Sequence, residues 1–109
     1  MRTLKFIVDG RNLIQDPSCD FTGLFPSESE KLTAEFQFSN EWGNALKVSA
    51  FYSVLGVEYP PQVLDEEDRC VIPREASMRP VFRMQILGEI GGSIVQTNVL
   101  SIYQKGGKK

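Results

Sequence analysis

The feature that most constrains this chain is apolar residues recurring at every second position in several separate runs. Leu4, Phe6 and Val8 alternate with Thr3, Lys5 and Ile7. Leu32, Ala34, Phe36 and Phe38 alternate with Thr33, Glu35 and Gln37. Leu46, Val48, Ala50 and Tyr52 alternate with Lys47, Ser49 and Phe51, and Phe82, Met84 and Ile86 alternate with Arg83 and Gln85. A period of two puts successive side chains on opposite faces of an extended strand, whereas a helix needs apolar spacings of three and four. Each run reads as a strand with one apolar face and one mostly polar face, as in an antiparallel sheet that is wet on one side. By that rule Leu46, Val48, Ala50 and Tyr52 form the apolar face of the third run.

Turn chemistry separates the runs. Asp9-Gly10, Asp16-Pro17-Ser18, Ser39-Asn40, Gly43-Asn44, Tyr59-Pro60-Pro61 and Gly91-Gly92 recur at short intervals,. Strands are predicted over 3–9, 31–39, 45–53, 56–59, 62–65, 69–72, 80–88 and 93–104. The last run changes apolar parity, which calls for a β-bulge near Thr97-Asn98 or burial of both faces. Two short helical turns fit the sequence. One is Pro73-Arg74-Glu75-Ala76-Ser77, with proline where a first turn accepts it; the weaker one is Ser27-Glu28-Ser29-Glu30. No long amphipathic stretch offers a helix to cover a sheet. The fold class is therefore all-β, an immunoglobulin-like antiparallel β-sandwich of roughly seven or eight strands with at most one or two short helical turns. The 109 residues suit one domain,, placed at 1–104, with a flexible C-terminal tail over 105–109.

Composition removes several function classes. With a net charge of −2 the chain lacks the basic field that nucleic-acid binders use against phosphates,. It has no histidine, so serine–histidine and cysteine–histidine catalysis and most zinc hydrolase sites are excluded,. A paired-carboxylate site needs a cleft that a sandwich of this length has little chain to build. No enzymatic activity is expected, and no cofactor. Cys19 and Cys70, without histidine, cannot complete a structural zinc site,. Cys70 lies in the apolar stretch Cys70-Val71-Ile72 and reads as a small core residue, and a disulfide between the two is disfavoured. Met1 to Asp9 lacks the apolar core of a signal peptide, and no segment has the length of a membrane helix, so synthesis in the cytoplasm and no membrane partner are expected.

The remaining motifs each have a plain explanation. Asp65-Glu66-Glu67-Asp68 does not match calcium-loop spacing and reads as a solvated hairpin tip. Gly88, Gly91 and Gly92 precede a strand-like stretch, so they make a hairpin loop and no phosphate cradle. Trp42, in a turn between two strands, either caps one end of the core or anchors a partner. Phe21, Leu24 and Phe25 sit in a polar, proline-flanked segment, where they either cover a sheet edge or form an exposed patch for a partner. These four are the candidate partner-binding residues.

Three strings carry a further resemblance. They are Ala34-Glu35-Phe36-Gln37-Phe38-Ser39 with Glu41-Trp42 and Val48-Ser49-Ala50-Phe51; then Glu58-Tyr59-Pro60, Leu64-Asp65, Cys70-Val71-Ile72-Pro73 and Glu75; then 82–88 and Gln96-Thr97-Asn98-Val99. In this order the chain resembles small immunoglobulin-like β-sandwich proteins of tailed phages and prophages, and is similar to the N-terminal domain of phage upper baseplate proteins. The resemblance implies a virion structural or assembly role in a tail, baseplate or head decoration. It implies binding to other virion proteins and homo-oligomer formation, and it brings no catalytic residues. Baseplate proteins usually continue into further domains, and this sequence stops at Lys109. The alternative is a small intracellular inhibitor of a host defence protein, although nucleic-acid mimicry usually needs more negative charge. A carbohydrate-binding module, with Trp42, Tyr52, Tyr59 and Tyr103 as stacking platforms, ranks third because these aromatics form no row.

Overall fold

The computed structural model describes residues 2–26 and 31–104. The expected helical turn at 27–30 and the tail at 105–109 lie outside the described residues. Within them the chain forms β1 (Arg2–Asp9), β2 (Asn12–Gln15), β3 (Leu32–Phe38), β4 (Lys47–Tyr52), β5 (Glu58–Val63), β6 (Arg69–Val71), β7 (Val81–Ile90), β8 (Ser93–Gln96) and β9 (Leu100–Tyr103). A single 3-10 turn covers Asn40–Trp42, and one turn of helix, α1, covers Arg74–Ser77. Sheet one has the order β2-β1-β3-β6; sheet two has the order β5-β4-β7-β8, with β9 also paired to β7. The protein is an all-β sandwich of two sheets.

The predicted alternation of β1, β3 and β7 builds the core. Leu4, Phe6 and Val8 of β1 and Leu32, Ala34 and Phe36 of β3 are buried against Phe82, Met84 and Ile86 of β7. The Phe6 and Phe36 rings stack with centroids 5.3 Å apart. One pairing departs from the antiparallel expectation: β1 and β3 run parallel, with Leu4 opposite Ala34 and Phe6 opposite Phe36. A parallel pair needs a crossover of a dozen or more residues. The long stretch between Gln15 and Leu32 supplies it, and Phe21 and Leu24 on that stretch pack into the core.

β2 was not anticipated, because it is short and buries only Leu13. It follows β1 through a two-residue turn whose left-handed conformation Gly10 supplies, at φ 62°,. The predicted strands at 56–59 and 62–65 are one strand, β5, running through Pro60-Pro61. It lies at the edge of sheet two, where proline's missing N–H costs no ladder bond, and its register with β4 shifts between Ser49 and Phe51,.

The single strand expected over 93–104, with a β-bulge near Thr97-Asn98 or both faces buried, is instead two strands, β8 and β9, separated at 97–99. Thr97 keeps contact with β7, donating its N–H to Ile86 O at 3.0 Å and accepting the Ile86 N–H on Oγ1 at 3.0 Å. Asn98 turns away to sheet one. Its carboxamide accepts the Leu13 N–H at 2.7 Å and donates to Leu13 O at 3.1 Å. The side chain thus imitates a strand on the edge of β2, satisfying backbone groups that would otherwise invite another chain.

The largest correction concerns β4. Its buried residues are Lys47, Ser49 and Phe51, so the set Leu46, Val48, Ala50 and Tyr52 points outward. Pairing with β7 imposes this orientation, since Phe51 lies opposite Met84, Ser49 opposite Ile86 and Lys47 opposite Gly88. Residues directly opposite share a face, so the core parity of β7 decides that of β4.

Candidate functional site

Because β4 is inverted, the outer face of sheet two carries an apolar strip. Val48 of β4 sits between Val63 of β5 and Leu87 of β7, and Ile94 of β8 faces outward opposite Glu89. The strip is concave. Val48 and Ala50 of β4, Pro61 of β5, Leu87 of β7 and Ile94 of β8 line an open trough of about 500 Å³. Leu46 and Ile94 stand 66% and 74% exposed at its margins. Among the described residues, Glu58 and Glu89 are the only charged ones lining it. Tyr52 closes one end, and its hydroxyl lies 3.3 Å from Gln85 Oε1 while Gln85 Nε2 donates to Thr97 O at 2.7 Å.

Beyond the Tyr52 end the β4–β5 turn carries a second apolar group, Val54, Leu55 and Val57, all exposed. Ser53 organises this turn. Its Oγ accepts the N–H groups of Leu55 at 3.2 Å and Val57 at 3.0 Å, and its N–H donates to Val57 O at 2.8 Å. A hollow of about 480 Å³ separates the turn from the start of β7 and is lined on the far side by Arg79 and Pro80.

The four residues singled out from the sequence do not meet in one surface. Trp42 is 1% exposed and plugs one end of the sandwich. Its indole N–H donates to Gly10 O at 2.7 Å, and its ring lies 5.2 Å from that of Phe38. Gly88 makes room for it, since a Cβ there would lie 2.7 Å from the indole ring. Leu24 is buried, and Phe21 is half-buried with its ring edge-on to Phe6 at 5.5 Å. Phe25 alone is open to solvent, at 57%. In this fold Trp42, Phe21 and Leu24 spend their apolar surface on the core, and Trp42 offers no face on which a sugar ring could stack.

The acidic run at the β5–β6 turn is largely spent on the protein itself. Asp65 Oδ1 accepts the N–H groups of Glu67 at 2.8 Å and Arg69 at 3.0 Å. The Arg69 N–H is the main cause holding the Asp65 carboxyl below its ordinary range. Glu67 pairs with the Arg69 guanidinium. Asp68, in a left-handed conformation at φ 59°, reaches inward to the buried Lys47 amine at 3.0 Å. Lys47 also donates to Gly43 O at 3.3 Å and lies 4.7 Å from the centre of the Phe38 ring. Asp16 and Asp20 act likewise, held low first by hydrogen bonds from Ser18 and Thr22 respectively.

Cys19 and Cys70 are both free thiols. Burial, with a smaller contribution from Asp65, pushes the Cys70 thiol up to about 12, so it stays protonated and unreactive at neutral pH,.

Sequence reading missed the trough because its β4 residues satisfy the alternation expected of a core face. The available signal was that both parities of β4 hold a large apolar residue, Phe51 against Leu46 and Tyr52. Comparison of the chain with protein-family models, with curated proteins and with solved structures finds no match.

Proposed function

We propose that this chain is a non-catalytic binding module, a structural or assembly component of a phage particle that docks onto other proteins through the outer face of sheet two. The observation that carries the reading is the apolar trough between β5 and β8, left open by the described residues. A contiguous apolar surface with a polar rim is the usual mark of a protein interface, because water leaves it on association. Glu58 and Glu89 at the trough disfavour a phosphate backbone as the occupant,. The virion setting rests on the sequence resemblance to phage β-sandwich proteins; the trough supplies the means of attachment.

Quantitative mass spectrometry of gradient-purified particles tests it. The chain should co-purify at a fixed copy number per particle, and Ile94→Lys, folded as judged by circular dichroism, should be lost from them. Absence from particles despite abundance in the infected cell overturns the reading and favours an inhibitor of a host protein.

A further inference from the structure

We infer that two copies of this chain pair edge to edge through β9, antiparallel about a two-fold axis at Ile102, so that their second sheets become one. The inference is independent of the trough and stands on the backbone hydrogen bonding of the sheet edges.

Each sheet has two edges, and an edge strand with unused N–H and C=O groups accepts another strand,. The chain closes three of these edges itself. On β5, Pro60 and Pro61 remove backbone donors,. On β2, the Asn98 carboxamide takes both backbone groups of Leu13. On β6, Asp65 does the same for Arg69. Its Oδ1 accepts the Arg69 N–H at 3.0 Å, and its own N–H donates to Arg69 O at 2.9 Å.

The remaining edge, formed by β8 and β9, is open. Gln104 donates its N–H to Pro80 O at 2.6 Å, which sets the phase of the β7–β9 ladder. Hydrogen-bonded and non-bonded pairs alternate along an antiparallel ladder. Leu100 and Ile102 therefore bond to β7, while Ser101 and Tyr103 turn their N–H and C=O groups away from it. Among the described residues those groups have no hydrogen-bond partner.

The spacing of residues on β9 selects a second copy as the occupant. With Ile102 opposite its counterpart, Ser101 of each copy lies opposite Tyr103 of the other, and every outward N–H and C=O of both strands is used. The side chains fit the same register. Tyr103 is 70% exposed, and it meets the short Ser101 side chain instead of a second ring,. Arg83 lies beyond Ser101 in the same row, exposed on β7, and among the described residues it has no carboxylate in ion-pair range. The pairing therefore directs the Tyr103 ring of one copy toward the Arg83 guanidinium of the other. β9 carries no charged residue, so the strands oppose no like charges. On β8 the Thr97 N–H, bonded to Ile86 O, leaves Ile94 and Gln96 outward. Pairing there would set an apolar side chain against a polar one. A two-fold contact is isologous, so it closes at a dimer.

Sedimentation velocity on the full chain tests this. The wild-type chain should double its mass with rising concentration and go no further. Tyr103→Lys sets a second cation near Arg83, and Ser101→Pro removes an outward donor that the β7–β9 ladder does not use. Each should stay monomeric with an unchanged circular dichroism spectrum, and Tyr103→Lys decides alone if Ser101→Pro does not fold. Gln96→Pro, the same change on β8, should leave the dimer intact. Amide exchange followed by NMR should show the Ser101 and Tyr103 N–H groups protected in the dimer and exposed on dilution. A wild-type chain that is monomeric at every concentration overturns the pairing. So does a dimer that survives Tyr103→Lys, one that Gln96→Pro abolishes, or one in which both amides exchange freely. None of these results bears on the loss of Ile94→Lys from particles, which tests the trough.

Discussion

Strands β4 and β7 lie side by side in sheet two, yet they divide their residues between core and surface in opposite ways. β7 buries Phe82, Met84 and Ile86 and turns Arg83 and Glu89 to solvent. β4 buries Lys47 and Ser49 together with Phe51, and turns Leu46, Val48 and Ala50 outward. On β7 the inward set is apolar and fills the core, and of the outward set Leu87 joins the trough. On β4 the pattern serves two masters: Phe51 fills the interior, and the outward set builds a surface that the other described residues leave open. The inward polar groups are tolerated for different reasons. Lys47 reaches Asp68 and Gly43 O near the end of the sandwich, whereas the fully buried Ser49 Oγ has no hydrogen-bond partner among the described residues.

That contrast can be broken or sharpened by substitution. The largest effect belongs to Phe51→Ala, which should cost about 3–5 kcal/mol in urea unfolding, because the ring is fully buried against Phe82,. Val48→Ala should cost far less, and the reverse ranking would mean that β4 faces the other way. Next is Asp68→Asn, which keeps a residue tolerant of the left-handed conformation but removes the charge facing Lys47. It should lower stability by about 1–2 kcal/mol, and an unchanged midpoint would show that Lys47 finds sufficient partners without the carboxylate. Ser49→Ala should act in the opposite direction. Deleting a buried hydroxyl without a partner should stabilise the fold by about 1 kcal/mol, seen as a melting point raised by a few degrees,. The smallest effect should be Leu46→Gln on the outer face, within roughly 0.5 kcal/mol of the parent. If that variant also leaves association with particles unchanged, Leu46 is not part of the contact.

Much of the fold was legible because it depends on local chemistry. The alternation of β1, β3 and β7 and the helical turn at Arg74–Ser77 follow from residue parity and turn residues; the parity change near Thr97-Asn98 marked an irregularity there, but not that the run is two strands. The prolines of β5 were visible too, but a break is the ordinary reading of Pro60-Pro61, and only the strand's edge position allows it to continue. The candidate site was hidden by the same rule that revealed the sheets. Leu46, Val48 and Ala50 look like core, whereas Trp42 in a loop fits a cap on the core as well as a partner anchor, and it is the cap. Whether an apolar side chain is inside depends on what lies opposite it, and sequence spacing does not contain that.

The sequence by itself determined that this chain is built of strands with a two-residue period, that it cannot use histidine chemistry, and where most turns fall. These are properties of single residues and of their neighbours along the chain. Only the tertiary structure decided that β1 and β3 run parallel, that Asn98 ties the two sheets, that Trp42 is sealed by Gly88, and which face of β4 meets water. Each of those depends on a pairing between distant segments. A one-residue change of register exchanges the faces of a strand while leaving its sequence pattern intact.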